Sequence, residues 1–382
     1  MKVLYDYQAF AMQSHGGVSK SFAELITHLP LDVVYEIAVN DSPNIFLKEY
    51  KFRADVRSFR DRLNAFLGGY NFRGKRRIFN AVSMFSSKSK DKESNKEYAS
   101  RVLKKNNFDI FHPTYFDDYF LKFLNQKPFV LTIHDMIPEL FPEYFGVDDF
   151  QIRMKKKLAP LASQIIAVSE NTKSDIIKIL GIEEEKISVI YHGKPDIISD
   201  FSEHSPYNFP YLLYVGQRWA YKNFEPLLYA FAEIAKQDQK IHLVCTSEPF
   251  NKKELNLIEK LNLKERIIHT FVMTEELFNL YHHALAFVYP SEYEGFGMPI
   301  LEAFACDCPV LLNESSCFRE IGGDAALYFK MDSDKSNFVE VYNTLQYQRE
   351  MLIAKGRERL HNFSWEKSAN KLADIYRQCI TL

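Results

Sequence analysis

Long apolar runs are missing from this chain. Nowhere do about 18 apolar residues follow one another, so no membrane-spanning helix is expected. A signal core is missing too. The opening Met1-Lys-Val-Leu-Tyr-Asp-Tyr sets Asp6 where an apolar centre would have to be, and it reads as a first β-strand. A cytoplasmic protein is expected, with peripheral contact at the inner membrane face as its furthest reach. Cysteine is scarce: Cys245, Cys306, Cys308, Cys317 and Cys379 give an odd count with no framework, which fits a reducing compartment. Cys306 and Cys308 form a C-x-C pair without a second pair or a His-x-His cluster, so buried thiols are expected and no metal site. An excess of one charge is missing, the formal net charge being -2, which removes any global pull toward nucleic acid. Finally, no G-x-G-x-x-G follows the first strand, which leads instead to His15-Gly-Gly-Val18. That argues against a dinucleotide oxidoreductase.

What is present is ordinary soluble material arranged with a clear rhythm. The 382 residues suit two domains at roughly 100–200 residues each. Aromatic residues reach 15%, carried by 32 Phe and 22 Tyr, and serve first as large core side chains. In the C-terminal half, apolar runs at 211–216, 241–246, 267–272, 286–289, 309–313 and 326–329 read as strands. Helical periodicity fills 224–237, 252–261, 275–283 and 299–305. Strands and helices alternating at this spacing predict βαβ units on a parallel sheet. The N-terminal half alternates less regularly, with strands expected at 3–7, 108–111, 129–133, 164–168 and 187–191. Helices are expected after Gly16-Gly17 to about His28 and over 171–180. The Ser-, Asp- and Pro-rich stretch 196–210 reads as the linker. The expected organisation is an N-terminal domain over 1–198, a C-terminal domain over 199–362, and a closing segment over 363–382. Residues 51–105 stand apart, with 16 Lys+Arg against 5 Asp+Glu and interleaved aromatics. Such a stretch suits an anionic membrane surface or a phosphate-bearing acceptor, or a solvated helical excursion.

The densest chemistry lies in Ser291-Glu-Tyr-Glu-Gly-Phe-Gly-Met-Pro-Ile-Leu-Glu302. Pro299 suits the first turn of a helix. Glu294 then stands in the loop before it and Glu302 one turn inside. Gly295 and Gly297 let backbone approach a ligand closely. The helix N-terminus offers unpaired N–H groups to a diphosphate, with Phe296, Met298 and Pro299 in the same turn. Further upstream, Val215-Gly-Gln-Arg-Trp-Ala-Tyr-Lys-Asn223 holds Arg218 and Lys222 just past a Gly turn, two cations suited to a departing pyrophosphate.

These motifs resemble glycosyltransferase family 4, whose fold is GT-B: two Rossmann-like doubly wound α/β domains facing across a cleft. Glu294 and Glu302 match the family's E-x7-E, within an intact E-G-F-G-x-P-x-L-E-A core. The resemblance implies that Glu294 contacts the donor sugar, that Glu302 holds the nucleotide ribose, and that Arg218 and Lys222 clamp the diphosphate. It also implies that the Gly16-Gly17 loop approaches the diphosphate and acceptor, and that His134, at the end of Thr132-Ile-His-Asp135, lies near the donor sugar. Asp135 would orient that loop, His112 would face the acceptor, and Ser169 would cap a helix. The closing helix resembles the family's, which crosses back to the first domain.

The expected reaction is retaining transfer of a hexose from a nucleotide sugar, without metal or other cofactor, to a glycan or lipid-linked oligosaccharide of a bacterial surface. Tyr221-Lys-Asn223 and His134-Asp-Met-Ile-Pro-Glu139 resemble mannosyltransferase-like members, which favours GDP-mannose and leaves UDP-hexoses open. Asp332-Ser-Asp334 is read as a surface turn rather than a metal motif. A nucleotide-sugar epimerase or isomerase, or a non-catalytic subunit of a polysaccharide assembly complex, are the alternatives.

Overall fold

The computed structural model describes residues 1–52, 93–196, 201–272, 274–331 and 337–381. Most of the basic segment 51–105, part of the linker and the Asp332-Ser-Asp334 turn therefore lie outside the described residues. So does the expected boundary at 198/199.

The N-terminal lobe is built on β1 (Lys2–Asp6), β2 (Val34–Ala38), β3 (Ile110–His112), β4 (Val130–Ile133), β5 (Gln164–Ala167) and β6 (Ile187–Val189). They form two parallel triplets, β2-β1-β3 and β4-β5-β6. A parallel bridge between Phe111 and Phe129 joins the triplets into one surface. The C-terminal lobe carries β7 (Tyr211–Tyr214), β8 (His242–Cys245), β9 (Ile267–His269), β10 (Ala286–Tyr289), β11 (Val310–Asn313) and β12 (Ala326–Phe329). Its parallel order, β12-β11-β10-β7-β8-β9, is a doubly wound sheet whose order reverses between β7 and β10. β7, β10 and β11 are buried at every position, as strands covered on both faces must be, and that is why they read as unbroken apolar runs.

Alternate residues of these strands feed opposite cores. In the C-terminal lobe Leu212, Leu243 and Val288 meet helix Phe224–Gln237, while Leu213, Phe287 and Leu312 meet helix Met298–Ala305. In the N-terminal lobe Val3, Tyr5 and Ile166 pack on helix Gly17–Thr27 and on the last helix, Trp365–Thr381. The chain leaves the C-terminal lobe after helix Phe338–Arg359 and returns to the first lobe through Trp365, Ala369, Leu372 and Tyr376.

That return explains one departure from expectation. His112 does not face an acceptor. It is fully buried, with Nδ1 2.6 Å from the Tyr376 hydroxyl and Nε2 2.8 Å from Thr132 Oγ1. Tyr376 in turn meets the Tyr5 hydroxyl at 2.8 Å, so His112 ties the closing helix to the sheet. Burial pushes its pKa down to about 3 and keeps it neutral. The edge strand β2, whose first two residues are exposed, and helices Asn95–Lys104 and Phe150–Leu158 were not read from the sequence. All five cysteines are reduced and buried.

Candidate active site

The two lobes meet where the acidic motif of one reaches the strand-end loops of the other. Gly297 sits in the left-handed region (φ 87°), which swings the chain from the loop into helix Met298–Ala305. The helix thus starts one residue before Pro299. The loop ahead of it is clamped by its own lobe. The Glu294 N–H donates to Ser316 Oγ (3.2 Å), and the Cys317 thiol lies 3.1 Å from the Glu294 carbonyl and 3.2 Å from that of Phe296.

Lys222 reaches the first acid. Its turn is held by the Glu292 N–H on the Tyr221 carbonyl (2.8 Å) and by Asn223 Nδ2 on the Pro290 carbonyl (3.2 Å). Lys222 Nζ then stands 2.5 Å from Glu294 Oε1, with both side chains largely out of solvent. A second pair, absent from the sequence reading, crosses between the lobes. Lys20, in the first turn of helix Gly17–Thr27, places Nζ 3.7 Å from Glu302 Oε1, and the Tyr281 hydroxyl lies 3.5 Å from Oε2. Gly17 faces the same place: a Cβ there would stand 3.5 Å from the Met298 methyl, so the starts of two helices converge. Gly16, just before, would put a Cβ 1.6 Å from the Gln13 side-chain oxygen, so its partner is its own loop.

Arg218 departs from the expected diphosphate clamp. Its Nε donates to Glu254 (2.9 Å), and its Nη groups donate to the carbonyls of Thr246 (3.3 Å), Glu248 (2.6 Å) and Pro249 (3.0 Å). Its guanidinium stacks over Phe224 and Phe250, 5.4 and 4.8 Å from the ring centroids. With four of its five N–H donors used in these bonds and the side chain 5% exposed, it ties loops together in this structure. Glu254, which was not singled out from the sequence, also closes a capping box with Asn251 at the start of its helix.

Phe296 and Gly295 also differ from the expected ligand-facing role. Phe296 is buried among Tyr191, His192 and Phe363, with its ring 4.7 Å from that of His192. Gly295 backs onto the other lobe: a Cβ there would fall 1.8 Å from the His134 carbonyl oxygen. Its own carbonyl accepts from Ser169 Oγ (2.7 Å) and Thr172 Oγ1 (3.2 Å). Ser169 is the helix cap that was expected, with an interlobe bond added. The closure runs on through Tyr293 to Asp175 (2.6 Å) and through Glu320, which accepts the N–H groups of Glu170 (2.6 Å) and Asn171 (3.1 Å). Tyr221 stacks on Phe141 at the rim.

His134 ends β4 beside these contacts. Its Nε2 is buried without a hydrogen-bond partner among the described residues. Burial, reinforced by Lys155 and opposed by Asp135, lowers its pKa to about 4, so the ring is neutral at physiological pH. A buried ion pair fixes its loop. Lys155 Nζ lies 2.9 Å from the Asp135 carbonyl and 3.0 Å from Glu139 Oε2, with side chains 1% and 3% exposed. Asp135 accepts the Ile137 N–H (3.1 Å), which orders the same loop. Among the described residues no group of three or more His, Cys, Asp or Glu side chains is placed to hold a metal ion.

Two doubly wound lobes with an acidic helix start facing a Gly-rich one define a GT-B architecture. Solved structures agree on the fold: Anabaena HepE in complex with UDP-glucose matches with a TM-score of 0.68 at 17% identity, covering 99% of this chain and 100% of that one. Residues 15–194 match the family described as Glycosyltransferase Family 4 and residues 197–359 that described as Glycosyl transferases group 1. The chain belongs to glycosyltransferase family 4. It is 30% identical over 210 residues to O-antigen chain mannosyltransferase RfbU of Salmonella typhimurium, covering 54% of this chain and 58% of that protein. It is 29% identical over 268 residues to O-antigen chain mannosyltransferase B of Escherichia coli, covering 65% and 70%.

Proposed function

We propose that this chain transfers mannose, with retention at the anomeric carbon, from GDP-mannose to a hydroxyl of a growing, lipid-linked bacterial surface glycan. The observation that carries the reading is the pairing of Lys222 with Glu294 at the start of helix Met298–Ala305, beside the unpartnered Nε2 of His134. The mannosyltransferase names of the relatives supply the sugar and the class of acceptor.

Each group then has work to do. Glu294 accepts from sugar hydroxyls and Glu302 from ribose hydroxyls, since carboxylates are strong acceptors for paired hydroxyls. The neutral His134 presents a ring nitrogen to the sugar. In a same-face displacement the bond from the anomeric carbon to the phosphate oxygen breaks as the bond to the acceptor oxygen forms. The acceptor proton passes to the departing phosphate oxygen. Lys222 and the helix N–H groups stabilise the charge that develops there, a role that needs no metal. The contacts that close the lobes exclude water and so limit hydrolysis.

A donor panel of GDP-mannose and UDP-hexoses tests this, scored for nucleoside diphosphate release with and without a lipid-linked glycan acceptor. The expected outcome is acceptor-dependent GDP release, an α-linked product by NMR, and unchanged rates in chelator. Donor consumption without any acceptor would instead support an isomerase or epimerase.

A further inference from the structure

On its outer face the C-terminal lobe carries an open groove of about 1060 Å³ along helix Phe224–Gln237. The helix has 14 residues and so runs about 20 Å. Glu225, Tyr229, Glu233 and Lys236 recur every three or four positions, which sets them in one stripe along the groove. Pro226 and Leu261 add apolar lining, and Trp219 stands where the groove meets the loop that carries Lys222. There the Lys222 N–H donates to the Trp219 carbonyl at 2.8 Å. We propose that this groove binds the acceptor glycan away from its reacting end, as an anchor that holds the chain while sugars are added. The inference goes beyond the transfer reading and takes from it that the acceptor is a chain of sugars.

Rings and charge argue for it together. Trp219 is 55% exposed and Tyr229 46%, and both line this one groove. A hexose has a C–H face that packs against an aromatic ring, whose own face is electron-rich, and a rim of hydroxyls that seek donors and acceptors. The charges of the groove are already matched. Arg218 lies 2.9 Å from Glu254, Lys236 2.6 Å from Glu233, and Lys253 3.1 Å from Glu225. Among the described lining residues only Lys260 is left over. Nucleic acids and anionic membranes select clusters of uncompensated cations, which this groove lacks. A neutral polyhydroxyl chain needs no such cluster. It takes hydrogen bonds from the paired groups and stacking from the rings. Several hexose units fit end to end along the helix. Because Trp219 shares a turn with Lys222, the groove begins beside the site where the chain end reacts.

The chain has two tryptophans, and Trp365 is buried, so the exposed indole of Trp219 reports on the groove. Linear α-linked mannose disaccharide and hexasaccharide are titrated into the full chain without donor and followed by tryptophan fluorescence. The hexasaccharide is expected to shift the Trp219 emission and to bind about tenfold more tightly than the disaccharide, the gain from added ring contacts. Tyr229→Ala should abolish that length advantage and Tyr229→Phe should keep it. Transfer to the disaccharide should be the same in wild type and both variants. Equal affinity for the two lengths, or a length advantage that persists in Tyr229→Ala, overturns the inference and leaves the transferase reading intact. An emission shift with phosphatidylglycerol vesicles and none with hexasaccharide also overturns it, marking the groove as a membrane contact. Length-dependent binding that needs Tyr229, with no sugar transfer from any donor, supports the glycan site and removes the transferase reading instead.

Discussion

Arg218 and Lys222 lie four residues apart on one loop and do different things. Spacing showed that both are near the strand end, but not which way each side chain turns. The turn at Ala220–Lys222 and the left-handed Asn223 send Lys222 toward Glu294. The rings of Phe224 and Phe250 draw Arg218 to the other side. Arg218→Ala is therefore expected to act first on stability. It removes the donor from a half-buried carboxylate and three carbonyls, a loss of about 2 kcal/mol in unfolding free energy by urea titration. Donor affinity of the folded variant should fall less than in Lys222→Ala. The Lys155–Glu139 pair invites a parallel test. Lys155→Met leaves Glu139 buried and unpaired, again at about 3 kcal/mol. Adding Glu139→Leu should recover part of that loss, because the buried charge is then gone; a double variant no more stable than the single one would count against this account.

At the level of elements, the C-terminal sheet was legible because strands covered on both faces must be apolar throughout. The E-x7-E helix start was legible because Gly and Pro mark it. The edge strand β2 was not, since its outer residues are exposed and its pattern is mixed. Nor were the partners that complete the site. Lys20, Tyr281, Ser169 and Glu320 reach it across 126 to 282 residues of chain or from another turn, and no local period encodes that. Helix Glu170–Leu180 shows the consequence. Its first N–H groups are satisfied by its own Ser169 and by Glu320 of the other lobe. Glu320→Ala should cost about 1 kcal/mol, the value of a lost helix-cap contact near the positive helix end. Its mark should be a more open molecule, seen as a larger radius of gyration in small-angle scattering. Gly295→Ala should open the lobes further still, because a Cβ cannot stand 1.8 Å from the His134 oxygen.

For the molecule as a whole, three imidazoles are held neutral where the lobes and the closing helix meet. Burial lowers the pKa of His112 to about 3, that of His134 to about 4, and that of His192 well below its ordinary value. In the unfolded chain each titrates near 6.5. As pH falls below that value, the unfolded chain takes up protons that the folded one refuses, so stability declines from about pH 6.5 toward the folded-state values. Above that range these groups contribute no slope. Asp6 and Glu24 work in the opposite sense, since burial raises their pKa and favours the fold under acid. Their windows run upward from the ordinary carboxylate range, so they offset part of the histidine loss. The histidine part is read by comparing the change in urea midpoint between pH 7 and pH 5 in wild type and in a histidine variant, which leaves the carboxyl contribution common to both. In His134→Gln the drop between pH 7 and 5 should shrink by on the order of 2 kcal/mol, the linkage expected for a group shifted by more than a unit. An unchanged drop in that variant would mean that His134 is protonated in the folded chain, and would remove the neutral ring from the donor site.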